Sequence, residues 1–145
     1  MADTLNAQFV TLSGIKLDEP VYEVLLPTLD GIIGVMPGHM PLVSVAKPGI
    51  ISIRRKSGDR DDQMERFVIS GGVIEVRDNT LRVLVDEADH SEEIDEAEAQ
   101  KAYDEAKRLK ATASSQMELE RAQEMMDRQA VRLQVAGLRR KRPRG

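Results

Sequence analysis

The sequence holds no cysteine, no tryptophan, two histidines and only 3% aromatic residues. Without cysteine there is no disulfide framework and no thiolate metal site. The histidines, His39 and His90, stand in different segments at no metal-ligand spacing, so no metal is expected. With so few rings, a core must rest on Val, Ile, Leu and Met, which an apolar share of 41% permits. No apolar run approaches the ~20 residues of a membrane-spanning helix. Met1-Ala2-Asp3-Thr4 predicts no signal peptide, so the chain is expected to be soluble and cytosolic. No G-x-x-x-x-G-K-[ST] is present, and Gly31, Gly34 and Gly38 do not match a dinucleotide fingerprint. No catalytic constellation is visible, and no cofactor is expected.

A chain of 145 residues suffices for one domain, or for a small domain with an appendage. Charged residues reach 32% with a net charge of −4, above the usual quarter. They are sorted along the chain: Asp89 to Glu105 holds eight acids and one base, and Arg128 to Gly145 holds seven bases and no acid. Such sorting suits a charged partner, or pairing of the two ends. Nucleic-acid binding through the basic end is not expected, because the chain is acidic overall and the basic segment carries no aromatic residue.

Residues 5–86 read as strands. Leu5, Ala7, Phe9 and Thr11 alternate, Ser13-Gly14 offers a turn, and Val21 to Leu26 forms a run ended by Pro27. Lys47-Pro48-Gly49 turns into Ile50 to Arg54, and Arg66 to Ser70 leads to Gly71-Gly72, the mark of a bulge or a close backbone approach. Val73 to Arg77 and Leu81 to Asp86 flank Asp78-Asn79, a two-residue hairpin turn. The expectation is a β-sandwich or flattened barrel over residues 1–88.

Between Asp86 and Ile94 the composition switches to helix formers. Asp95 with Glu98 starts one helix, and Ser115 with Glu118 starts a second. Ala99, Ala102, Ala106, Leu109 and Ala113 form one stripe; Leu119, Ala122, Met126, Ala130 and Leu133 form the other. Gly137 reads as the C-cap. Residues 89–137 are thus expected as an antiparallel helical hairpin, and 138–145 as a disordered basic tail. Burial of a Leu-sized side chain contributes ~1.5–3 kcal/mol and Ala far less, so an alanine-rich hairpin is weakly held.

The densest stretch is Leu26 to Leu42, LPTLDGIIGVMPGHMPL, where turn residues alternate with Leu29, Ile32, Ile33, Val35, Met36 and Met40. A solvated linker would be polar; these apolar side chains imply short strands and a partner surface. His39 reads as a turn residue bonded to local backbone. Gly34-Val35-Met36-Pro37-Gly38-His39-Met40-Pro41-Leu42, with Lys47-Pro48-Gly49-Ile50, Ser70 to Val76 and Thr80 to Ala88, resembles the epsilon subunit of the F-type ATP synthase. The resemblance covers most of residues 5–99 and, more loosely, the helices.

It implies a non-catalytic rotor subunit that ties the gamma subunit to the c-ring during proton-driven ATP synthesis and inhibits ATP hydrolysis through its C-terminal helices. Location at the cytoplasmic face of the cell membrane, through the complex alone, is also implied. By the same resemblance, Thr28, Leu29, Asp30, Gly31 and Ile32 face the c-ring, and Pro37, Gly38, His39, Met40 and Leu42 lie near the gamma subunit. Arg128, Arg132, Arg139 and Arg140 would meet acidic surfaces of the alpha and beta subunits. Some family members bind ATP on the hairpin; Ile94 and Asp95 match that motif here, but Glu98 stands where an arginine belongs, and a carboxylate repels phosphate. The rival from another class is a free-standing small-molecule sensor with a helical lid.

Overall fold

A computed structural model of the protein describes residues 3–141, with side chains through Leu138. Among the described residues the chain forms ten strands and then two helices. Strand β1 (Leu5–Thr11) buries every second residue, as its alternation predicts. A tight turn returns it as β2 (Gly14–Val21), where Thr11 Oγ1 accepts the Ser13 N–H and donates to the Gly14 carbonyl. Strands β3 (Glu23–Thr28) and β4 (Gly31–Val35) form a hairpin; β5 (Leu42–Ala46), β6 (Gly49–Arg54), β7 (Glu65–Ile69), β8 (Gly72–Arg77), β9 (Thr80–Val85) and β10 (Ala88–His90) follow. The sheet runs β10-β7-β6-β3-β5-β8-β9-β1-β2, with β4 attached to β3. It folds over one core that includes Leu5, Phe9, Leu26, Ile51, Ile53, Phe67, Ile74, Leu81 and Val83. Phe9 and Phe67 meet edge to face at 5.3 Å, so half of the chain's phenyl-type rings lie at its centre.

Three local expectations need correction. Pro27 does not end its strand but lies inside β3, paired with Ile32. There β3 changes neighbours, from β6 at Glu23–Leu25 to β5 at Thr28. A missing N–H costs little at such a switch, and the Pro27 carbonyl is still used, by the Lys47 N–H. Strand β2 was hidden by its polar, proline-bearing sequence, tolerable because it is a sheet edge. The strand set also continues past residue 88, since β10 pairs with β7 as far as His90. The turn readings hold: Asp78 and Asn79 both adopt left-handed φ of 52° and 58°, the type I′ pattern. A Cβ on Gly72 would lie 2.0 Å from the Leu84 carbonyl oxygen, so the close approach there requires glycine.

Helix α1 (Glu96–Ala111) is capped by Asp95, whose carboxylate accepts the Glu98 N–H. Helix α2 (Gln116–Lys141) starts with Ser115 accepting the Glu118 N–H, while the Glu118 carboxylate reaches Ser114. The helix does not stop at Gly137 but runs on to Lys141. A helical glycine costs only ~1 kcal/mol relative to Ala, and Val135 and Ala136, fully buried beside it, anchor the turn. Arg139, Arg140 and Lys141 therefore lie on helical backbone; the rest of the expected tail lies outside the described residues. Ala99, Ala106 and Ala122 are buried as the stripes require, but Leu109 is exposed and so is Ala130. The hairpin meets the sandwich through the C-terminal half of α2, where Val135 and Ala136 join Val68 and Ile94 in a second apolar cluster.

Candidate docking surfaces and the hairpin seam

The two apolar groups in the Leu26–Leu42 stretch are carried to opposite ends of the sandwich by β4. At one end, Thr28 Oγ1 donates to the Gly31 carbonyl at 2.6 Å and accepts the Asp30 N–H at 3.2 Å. This locks a turn whose flanking side chains, Leu29 and Ile32, are 71% and 76% exposed. Roughly 16 Å away, at ~3.3 Å per strand residue, Met36 to Met40 form the other end. There the Gly38 N–H donates to Asn79 Oδ1 at 3.0 Å, and Asn79 Nδ2 donates to the Thr4 carbonyl. His39 pairs through Nδ1 with the neighbouring Met40 carbonyl at 2.6 Å and its N–H returns to the Met36 carbonyl, the local role expected of a turn residue. Met40 is exposed. The structure thus separates Thr28–Ile32 from Pro37–Leu42.

Between these ends lies a surface the sequence did not reveal. Register places Val45 opposite Val73, Val73 opposite Leu84, Leu84 opposite Val10, and Val10 opposite Ile15. This row crosses β5, β8, β9, β1 and β2 on the outer face, and Val45, Val73, Leu84 and Ile15 are exposed. The adjacent row, Glu75, Arg82, Gln8 and Asp18, is polar, with Arg82 Nε donating to Gln8 and Gln8 to Asp18. At the Leu29 end the apolar row opens into a groove of about 660 Å³ that Leu12, Leu29, Val45 and Leu84 help to line. The signal available was the run of apolar residues on both faces of β5 and β9, but only the register joins them.

The seam between sandwich and hairpin is built from charge and from the Val68 cluster. Arg132 Nη1 lies 2.5 Å from Asp89 Oδ2, tying α2 to β10. Lys16 of β2 reaches Glu93 at 3.6 Å. Beside them, Arg55 binds both Glu65 and Glu19. The paired Glu65 side chain holds the Arg55 guanidinium well above its ordinary range. The Arg55 hydrogen bond in turn holds the Glu65 carboxyl below the usual carboxylate range, against the opposing effect of burial. His90 Nε2 sits 3.3 Å from Glu65, and its Nδ1 accepts the Glu92 N–H at 3.0 Å.

Ile94 is buried in the seam and the Asp95 carboxylate caps its own helix. Both residues therefore already have structural work. Arg128 lines a cleft of about 480 Å³ with Val68, Glu124, Asp127 and Val131. Arg132 is engaged by Asp89, so only Arg128 of this pair faces outward. The backbone of Arg139 and Arg140 continues α2; their side chains lie outside the described residues. Among the described residues no cluster of ligands could hold a metal, and no buried side-chain polar atom lacks a partner. Among the described residues no helix is long and apolar enough to cross a membrane.

A filled core, apolar side chains displayed outside it and a helical pair seated through one small apolar cluster are features of an assembly subunit. Residues 4–91 match the family model described as ATP synthase, Delta/Epsilon chain, beta-sandwich domain. The chain is 35% identical to the ATP synthase epsilon chain of Herpetosiphon aurantiacus over 138 residues, 95% of this chain and 98% of that one. It is 31% identical to the ATP synthase epsilon chain of Moorella thermoacetica, over 92% of this chain and 97% of that one. It also superposes with a TM-score of 0.79 on a chain of the Euglena gracilis mitochondrial ATP synthase, in a structure of its OSCP/F1/c-ring part. That pair shares 26% identity over 95% of this chain and 83% of the other. The protein belongs to the ATP synthase delta/epsilon family, as an epsilon-type, non-catalytic stalk subunit.

Proposed function

We propose that this chain couples the gamma subunit to the c-ring during proton-driven ATP synthesis, and that its helical hairpin restrains ATP hydrolysis. The observation that carries the reading is the display of bulky apolar side chains outside a complete core: Leu29 and Ile32 at one end, Met40 at the other, and the Val45–Val73–Leu84 row between. Burying such side chains stabilises a complex, while exposure in a free chain gains nothing. In this reading the Thr28–Ile32 turn meets the c-ring, and the Pro37–Leu42 end and the apolar row meet the gamma subunit. Arg128, Arg139 and Arg140, with Arg132 once it parts from Asp89, are then the bases that approach the alpha and beta subunits when the hairpin leaves the sandwich. The chain reaches the cytoplasmic face of the cell membrane through these partners alone.

Ile32→Asp tests the reading. Ile32 is exposed, so the isolated variant should melt within about 2 °C of the parent, a shift of ~0.5 kcal/mol or less. Its recovery with rotor partners in a native complex should fall sharply. A large loss of intrinsic stability with normal assembly would show that the side chain serves the core instead.

A further inference from the structure

We propose that His90 is a pH-sensitive clasp whose protonation gives up the contact holding the start of the hairpin and so favours the hairpin's release from the sandwich. The residue stands at the junction, the last of β10 and the N-cap of the 3₁₀ turn Ser91–Glu93 that leads to Ile94 and α1. Its Nδ1 accepts the Glu92 N–H at 3.0 Å, so that nitrogen carries a lone pair and the ring proton sits on Nε2, facing Glu65 Oε2 at 3.3 Å. The edge-to-face contact with Phe67, at 4.9 Å and 84°, sets the ring plane, and the two nitrogen contacts set which edge of the ring faces Glu65 and which faces Glu92.

A second proton can enter only on Nδ1. It turns the acceptor into a donor aimed at another donor, and the cap on Glu92 is lost. The Nε2 contact with Glu65 meanwhile becomes charge-assisted, but Glu65 belongs to β7, inside the same sandwich. Protonation therefore strengthens β10 against β7 and weakens the turn that begins the hairpin. Next along the chain is Ile94, whose burial against Val68, Val135 and Ala136 closes the seam. The other charged groups at this junction are paired among themselves. Arg55 and Glu19 hold Glu65, Lys16 of β2 holds Glu93 of the turn, and Arg132 of α2 holds Asp89.

This deepens the proposed regulatory role of the hairpin by naming a condition for its release. It is measured on the free chain, so failure of the ATPase reading and failure of the clasp are separate outcomes. The chain has no native cysteine, so a dye pair enters through Ser57→Cys and Arg121→Cys, both exposed. Between pH 8 and 5.5 energy transfer should fall, the docked-to-released ratio shifting about fivefold, the weight of one lost cap. The midpoint should coincide with the ring titration of His90 read by NMR, and the protection of the Glu92 amide, taken relative to its intrinsic exchange rate at each pH, should fall through the same range. His39→Asn should change nothing. His90→Asn should remain docked and lose the response, because asparagine caps without titrating. A response that persists in His90→Asn, a flat response in the parent chain, or a Glu92 amide equally protected at both ends of the range would overturn the proposal.

Discussion

Arg132 and Asp89 make the one contact in which a basic residue of α2 meets an acid of the sandwich among the described ion pairs. The acid-rich and base-rich segments seen in the sequence thus partly answer each other within the chain. Arg132→Gln should lower the docked-to-released ratio of the hairpin about fivefold, ~1 kcal/mol for a partly exposed pair, with the melting of the sandwich nearly unchanged. Amide exchange along α2 reads this directly. Gly72→Ala should act on the sandwich instead, losing about 2–3 kcal/mol, because the new methyl meets the Leu84 carbonyl on a neighbouring strand. Glu65 adds an acid-side dependence. Its carboxyl is held below the ordinary range chiefly by Arg55, so its stabilising share is complete above the ordinary glutamate value of about 4.3. That share is lost as pH falls through the lower folded-state value. The stability gap between the parent and Glu65→Gln should therefore shrink below about pH 4. Chemical denaturation at several pH values measures it.

At the level of elements, the sandwich and the hairpin differ in how they are held. The sandwich closes on branched and aromatic side chains, whereas α1 contributes mainly alanines and leaves Leu109 in solvent. Asp95→Ala should therefore fray α1 by ~1 kcal/mol, seen as lost helical circular dichroism, without moving the sandwich transition. Much at this scale was legible in the sequence. Strict alternation marked β1, Asp78-Asn79 marked its hairpin, and Asp95 and Ser115 marked the helix starts, because each rests on neighbours within four residues. What escaped depended on distant partners. Pro27 could stay in a strand only because β3 changes neighbours there, and Gly137 could stay in α2 only because Val135 and Ala136 are buried on the sandwich. The apolar row escaped for the same reason: Val45, Val73, Leu84 and Val10 are brought side by side only by register.

For the whole molecule, the proposed function needs a strand unit and a helical pair that act separately. In that proposal one part would transmit torque between two apolar ends, and the other would leave its seat without unfolding the first. Residues 1–91, which keep β10 whole, should fold alone with one cooperative transition. The most direct measurement is steady-state ATP hydrolysis by the assembled complex containing either the full chain or the chain ending at Ser91, at low and at high salt. The truncated form should assemble and hydrolyse ATP faster, and the difference should narrow at high salt as the basic contacts of α2 are screened. Equal rates at both salt concentrations would contradict a restraining hairpin.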